Sequence, residues 1–292
     1  MIAPFSPTFY RSLQQLKIHS RRAALGSRQG SHRSTRRGHG LEFADYRLYT
    51  AGDDFRHIDW GVYGRTDRLY VREFREERDL NIVVLIDTSG SMAYPEGEGK
   101  FDFARRLGLA LGYVGLADGD SVMFGLLGKK VTPRYSGARA LSRAWREVEQ
   151  CEAGGSYSFV SEARAALSRV KLPGKCFLVS DYLAPHEDIF PALDFIRSRN
   201  FDLSLIQVLA PSEISLPSDT EATVLVDAET GAEIEMPLDR QTQIEYSRSL
   251  ARHIRALEDY AARAGIVHTL VSSGDNLSDF VLTRLPELKL LQ

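Results

Sequence analysis

Hydrophobic and polar positions follow two periods along this chain. The stretch from Asn81 runs into an unbroken apolar, largely β-branched series over residues 82–86, which reads as a strand buried on both faces. Residues 121–127, 175–180, 201–209 and 266–271 read as further strands. Between them, apolar residues recur at helical spacing. The spacing predicts helices over 101–117, 138–151, 159–170, 186–199 and 238–264, with a last one over 277–285. Breakers punctuate the pattern: Asp118-Gly119-Asp120, Pro173-Gly174 and Gly265. Strands alternating with helices predict an α/β fold, with a doubly wound, mostly parallel sheet flanked by helices. Two short runs, 223–226 and 232–236, flank Glu229-Thr230-Gly231 and predict a β-hairpin excursion at about 216–237.

The first 78 residues differ in character. Phe9, Leu13, Leu16 and Ile18 predict a helix over 7–24, capped by Ser6 or Thr8. Residues 21–37 carry Arg21, Arg22, Arg28, His32, Arg33, Arg36 and Arg37 among Gly and Ser, a basic loop. No aromatic residue interleaves it, so it lacks the stacking platform of a single-strand binder. Block 38–78 mixes Glu42, Asp45, Asp53, Asp54 and Asp59 with Arg47, Arg56, Arg65, Arg68 and Arg72, and adds many aromatics. Carboxylates and guanidinium groups at this density predict an ion-pair lattice with aromatic filler, since Arg pairs bidentately with carboxylates. Residues 69–74 alternate like a strand. The expected division is therefore 1–37 as helix and basic loop, 38–78 as an Arg/Asp/Trp-rich segment packed beside the core, and 79–292 as the α/β domain.

Composition narrows the classes. At 292 residues the chain has room for one large α/β domain with an appendage. The formal net charge of -2 makes the whole molecule no evident nucleic-acid binder. Two cysteines, Cys151 and Cys176, build no disulfide framework, and a reducing compartment follows. The N-terminus lacks the basic and apolar regions of a signal peptide. The apolar run 107–117 falls well short of the roughly twenty residues that span a bilayer. The expectation is a cytoplasmic protein with no membrane span and no nucleic-acid partner.

The candidate chemistry begins where the 82–86 run ends. Asp87, Ser89 and Ser91 place three oxygen-bearing side chains at alternate positions, and Gly90 allows a sharp turn. In open α/β sheets ligands bind beyond the carboxyl ends of such strands. A hard divalent cation takes oxygen ligands in octahedral geometry and keeps some water. D-x-S-x-S supplies part of that shell, so other strand ends must supply the rest. Two stretches fit: Gly154-Gly155-Ser156, a glycine-rich loop with a hydroxyl, and the strand that ends at Asp181. The alternative reading of D-x-S-x-S is a turn that caps the following helix.

These residues resemble the metal-ion-dependent adhesion site of von Willebrand factor A domains, which have a Rossmann-like topology. The resemblance implies the metal ligands Asp87, Ser89, Ser91, Ser156 and Asp181, with Mg²⁺ as the cofactor and Mn²⁺ or Ca²⁺ as alternatives. Ser156 stands where that family usually has Thr, so the hydroxyl is kept and the β-branch is lost. A second resemblance is closer. The run G-x-G-L-E-F-x-D-Y-R-x-Y-x-x-G-D-D-x-R-x-I-D-W from Gly38, then R-T-x-R-L-Y-V-R-E-F-x-E-E-R-D-L, then D-T-S-G-S-M is similar to bacterial domain-of-unknown-function family fifty-eight. That family has a von Willebrand A-like fold behind the Arg/Asp/Trp segment, and is commonly encoded beside MoxR-type AAA+ ATPases. The resemblance implies a non-enzymatic partner or adaptor of such an ATPase, which would supply a metal-completing carboxylate during maturation or remodelling of other proteins.

Catalysis competes with docking. A metal-dependent phosphoester hydrolase would need a general base or acid beside the metal. None of the seven histidines sits on a candidate metal loop, although His186 follows Asp181 by five residues. H-E-x-x-H, G-x-S-x-G, Walker A and a G-x-G-x-x-G opening the first core helix are all missing. No catalytic residue is assigned, and docking is the expected role. A third reading, nucleic-acid contact through the basic loop, predicts affinity that falls steeply with salt.

Overall fold

The computed structural model describes residues 5–20, 41–76, 80–170, 174–216, 223–226, 233–236 and 240–292. The basic loop 21–37 and the hairpin tip Glu229-Thr230-Gly231 lie outside them. The chain divides into two units, Arg22–Asp79 and Met1–Arg21 with Leu80–Gln292.

In chain order the elements are α1 (Pro7–Leu13), β1 (Leu41–Leu48), α2 (Trp60–Thr66), β2 (Tyr70–Glu76), β3 (Asn81–Asp87), α3 (Gly90–Ala93), α4 (Lys100–Ala117), β4 (Ser121–Leu127), β5 (Lys130–Val131), β6 (Tyr135–Ser136), α5 (Leu141–Glu149), α6 (Phe159–Ser168), β7 (Lys175–Ser180), α7 (His186–Ser198), β8 (Asp202–Leu209), α8 (Pro211–Ile214), β9 (Thr223–Val226), β10 (Glu233–Met236), α9 (Arg240–Ala264) and β11 (Val267–Ser272). Helical turns follow from Leu277 to Glu287.

The large unit is a mixed α/β domain around a mostly parallel sheet in the order β11-β8-β7-β3-β4. The short β5 and β6 add antiparallel pairs to β4. Among the five parallel strands, β3 is first in sequence, with the second (β4) on one side and the third (β7) on the other. Strand order therefore reverses at β3/β7, the switch point of a doubly wound sheet. Successive side chains of a strand face opposite ways. Ile82, Val84 and Ile86 accordingly join one core with Leu107, Leu111 and Val114 of α4, whereas Val83 and Leu85 join the other with Leu167, Ile189 and Leu193. Each such side chain, fully buried, contributes about 1.5–3 kcal/mol. Helix α4 lies so close to the sheet that a Cβ at Gly112 would overlap the Phe124 ring. Cys151 and Cys176 are free and buried.

Two sequence expectations change here. The first helix ends at Leu13, not near residue 24, because the chain then pairs with its own C-terminus: Lys17 and Gln292 exchange backbone bonds (2.8 and 2.9 Å), and Ile18 bridges Leu291. This helix is also no separate piece of a 1–37 segment. Phe9 and Leu13 are buried in the core beside α4. The first two turns of α9 are only partly covered, with Ile244 exposed. The β9–β10 hairpin forms antiparallel, Glu233 opposite Val226.

The small unit is an antiparallel ribbon, β1 against β2, that carries α2. Its ion-pair lattice is present. Arg47 clasps Asp53 with two bonds of 2.9 and 3.0 Å. Asp59 caps α2 through the amides of Gly61 and Val62, and also accepts from Tyr46 Oη and Arg72 Nε. The hydrogen bond from the Arg47 guanidinium holds Asp53 well below the usual carboxylate range. Among the described aromatics Phe55 (64%) and Trp60 (60%) are exposed, although Phe55 stacks on Tyr49, Trp60 meets Tyr63 edge-on, and Tyr46 meets Tyr70 edge-on.

Candidate functional site

Asp87 ends β3, and Asp181 follows β7, so both stand at the carboxyl ends of the two strands that flank the switch point. Both are buried. Asp87 Oδ1 accepts from the Ser89 amide at 2.7 Å and from Tyr157 Oη at 2.6 Å, and Oδ2 accepts from Ser180 Oγ at 2.5 Å. Burial, and secondarily the charge of Asp181, push the Asp87 carboxyl above its usual range. Ser89 is the N-terminal cap position of the one-turn helix α3, yet its side chain makes no capping bond. Its hydroxyl lies 3.0 Å from that of Ser91 instead. The Asp87 Oδ1–Ser89 amide bond is the turn that the alternative reading of D-x-S-x-S predicts, whereas the Ser89 hydroxyl itself caps nothing.

The glycine-rich loop is stitched to this turn. Gly90 N donates to Gly155 O and Gly154 N to Thr88 O, both at 2.8 Å. Gly155 has φ +88°, a backbone that only glycine adopts without strain. Ser156 follows on that loop, exposed to solvent. The structure thus brings Asp87, Ser89, Ser91 and Asp181 together and places Ser156 on the adjoining loop.

Asp181 is more constrained than the sequence suggested. Its Oδ1 accepts from Leu183 N (3.1 Å), and its Oδ2 from Lys100 Nζ (2.9 Å). Lys100 Nζ also donates to Glu213 Oε1 at 2.6 Å. The Lys100 side chain is 0% exposed, and those of Asp181 and Glu213 are 2% and 15% exposed. Burial pushes the Glu213 carboxyl up, and the Lys100 ammonium pulls it back in part. Tyr182, fully buried, sits at φ +54°. That left-handed backbone costs roughly 1–2 kcal/mol in a side-chain-bearing residue. It is held by Tyr182 Oη on Leu178 O (2.7 Å) and Tyr182 N on Ser180 Oγ (2.9 Å). Behind Asp181, Gln207 Nε2 donates to its carbonyl (2.9 Å). Among the described residues His186 makes no hydrogen bond to the candidate loops; it stacks on Phe190 and His253, while His253 Nε2 reaches Tyr182 O at 2.5 Å.

Residues 45–256 match the family described as "Protein of unknown function DUF58". The chain belongs to this family. It is also similar to uncharacterized proteins of Mycobacterium bovis (Mb1516) and Mycobacterium tuberculosis (Rv1480). Each is 27% identical over 259 residues, which span 85% of this chain and 79% of the relative. Among solved structures it is similar to hypothetical protein BatB from Bacteroides thetaiotaomicron (TM-score 0.43) and to an aerotolerance-related membrane protein from Bacteroides fragilis (TM-score 0.44). Each is 14% identical and covers 72% of this chain and 98% of its own. Among the described residues of the DUF58 chain, no helix is long and apolar enough to cross a membrane.

Asp87, Ser89, Ser91 and Asp181 present oxygens, the ligand type that a hard cation takes, although no group of three or more His, Cys, Asp or Glu is gathered as a metal cluster among the described residues. Asp87 is a buried carboxylate that accepts from two hydroxyls and one amide. In an octahedron of oxygens about 2.1 Å from Mg²⁺, neighbouring ligands stand about 3.0 Å apart. The Ser89 and Ser91 hydroxyls are hydrogen-bonded to each other at 3.0 Å, a distance that also equals that span. Sequence reasoning missed Lys100, Tyr157, Ser180 and Glu213.

Proposed function

We propose that this protein is a divalent-metal-dependent interaction module with a von Willebrand A-like site, and not an enzyme. Ser89, Ser91 and Ser156 offer hydroxyls to Mg²⁺, and Asp87 and Asp181 balance its charge directly or through water. When bound, the cation supplies a Lewis-acidic position that an acidic side chain of a partner completes. The observation that carries this reading is the buried Asp87 beside two hydroxyls 3.0 Å apart at the switch point of the sheet. The common encoding of such family members beside MoxR-type AAA+ ATPases suggests such an ATPase as the docking protein.

The test is affinity capture with purified candidate ATPase and four baits: wild type in Mg²⁺, wild type in EDTA, and Asp87→Ala and Ser89→Ala/Ser91→Ala in Mg²⁺. The serine pair leaves the buried carboxylate in place and so separates ligand loss from misfolding. Capture by wild type in Mg²⁺ alone supports the reading. Equal capture by all four baits keeps the partner and removes the metal. Turnover of a phosphoester by wild type, lost in Asp87→Ala, would replace docking with hydrolysis.

A further inference from the structure

Lys100 is in an unfavourable place for the fold alone. It is the first residue of α4, an 18-residue helix. The N-terminal end of a helix carries partial positive charge, which disfavours a cation there. Its side chain is also fully buried, and Lys is almost never so unless paired. Here the ammonium is aimed at two carboxylates, Asp181 and Glu213, which reach it from 81 and 113 residues away in the chain. Ser180 ties Asp87 to the same strand end. The Lys100 ammonium meets two carboxylates, Asp181 and Glu213, and the buried Asp87 lies near enough to Asp181 to feel its charge, so the formal charges of these four groups sum to -2. A single divalent cation would bring this cluster to neutrality.

We propose that the Lys100 ammonium is a resident counter-ion of the site, and that it competes with the divalent cation for Asp181. This rests on the metal-dependent reading above and adds to it a residue that sets how tightly the metal is held. With the ammonium on Asp181 Oδ2, that carboxylate is neutralised before any metal arrives. Glu213 draws the same ammonium from the other side and shares it, so Glu213 acts with the metal and Lys100 against it. Lys100 and Glu213 are positioning residues in this scheme, and neither is assigned as a ligand.

The experiment measures Mn²⁺ affinity by titration calorimetry, and thermal unfolding in EDTA and in saturating Mg²⁺, for wild type, Lys100→Met and Glu213→Gln. Removing a positive charge from a buried site strengthens its attraction for a cation. Lys100→Met should bind Mn²⁺ at least about tenfold more tightly than wild type. It should unfold at lower temperature in EDTA, with much of the loss recovered in Mg²⁺. Glu213→Gln should bind Mn²⁺ more weakly than wild type, because one negative charge is gone and Lys100 is left to Asp181. A merely structural lysine predicts the reverse for Lys100→Met: affinity unchanged or reduced in a folded protein, which overturns the proposal. If Lys100→Met folds only in Mg²⁺, the proposal is supported. If it folds in neither buffer, Glu213→Gln decides: weaker binding supports the competition, and equal or tighter binding overturns it. If wild type binds no Mn²⁺, the metal-dependent reading fails. Binding that appears in Lys100→Met would then still support Lys100 as the occupant of the site. Its absence there as well overturns both.

Discussion

The hydroxyl of Tyr157 offers a clean perturbation of the site. Replacing Tyr157 with Phe deletes one atom and leaves the ring against Phe159, 5.5 Å away, and over Gly128, where any side chain would overlap it. No large cavity is created, so the cost lies in the lost bond to Asp87 Oδ1. At 2.6 Å that bond is in the range of a hydroxyl donating to a charged carboxylate. Bonds to charged groups contribute roughly 1.5–3 kcal/mol each. Asp87 keeps two other donors, Ser180 Oγ and Ser89 N, and remains buried. The expected loss is about 2 kcal/mol. In a unit of this size that lowers the melting temperature by roughly 4–8 °C. Urea unfolding in EDTA measures it without any contribution from metal. Combining Tyr157→Phe with Asp87→Asn closes a double-mutant cycle, whose coupling should reach about 1 kcal/mol. A loss below about 0.5 kcal/mol with no coupling would refute the assignment of Tyr157 as the partner that holds Asp87.

Three further outcomes follow from the same structure. Gly112→Ala puts a methyl into the Phe124 ring, and should cost about 1–3 kcal/mol in urea unfolding, although Ala is the better helix former. Burial holds the His268 imidazole down to about 4, below its ordinary 6.5, so the unfolded chain binds more protons between those values. Stability from this group is therefore present above pH 6.5 and lost as pH falls toward 4. His268→Gln should flatten urea midpoints compared at pH 7 and pH 4.5. Asp59→Ala removes the cap of α2 and the shared partner of Tyr46 and Arg72, so the Gly61 and Val62 amides should exchange faster with deuterium.

The elements that sequence periodicity revealed best are those buried on both faces. Asn81–Asp87 and Lys175–Ser180 are buried at every position, and the apolar pattern between their polar ends is unbroken. β5 and β6 have two residues each, too few to show any period. The end of α1 was misread because Leu16 and Ile18 keep helical spacing while their burial comes from the C-terminal tail. The D-x-S-x-S turn and Asp181 were legible because each sits where a buried strand stops. Ser156 was legible through its two glycines. Lys100 was not: its pairing exists only after strands β7 and β8 bring Asp181 and Glu213 to the start of α4. An ion pair between residues that far apart leaves no local pattern to read.

Buried charge is handled differently at the two edges of the sheet. At the amino edge Lys175 of β7 pairs with Asp202 of β8 at 3.2 Å, one ammonium to one carboxylate. At the carboxyl edge one ammonium serves Asp181 and Glu213, and Asp87 lies close enough to Asp181 for its carboxyl to be pushed up by that charge. Three further costs gather there: a lysine at a helix N-terminus, a buried tyrosine with left-handed backbone, and a serine cap without its bond. Each is a local conflict that a sequence selected for stability alone would lose. Strain of this kind persists where the surrounding structure over-determines it, and it concentrates at ligand sites. The excess is negative and the side chains around it present oxygens, the complement of the cation proposed above. Its two strongest determinants, Asp87 and the Lys100-held Asp181, come from the neighbouring strands β3 and β7. Any shift in the register of these strands would therefore alter the charge balance of the site as directly as a substitution within it.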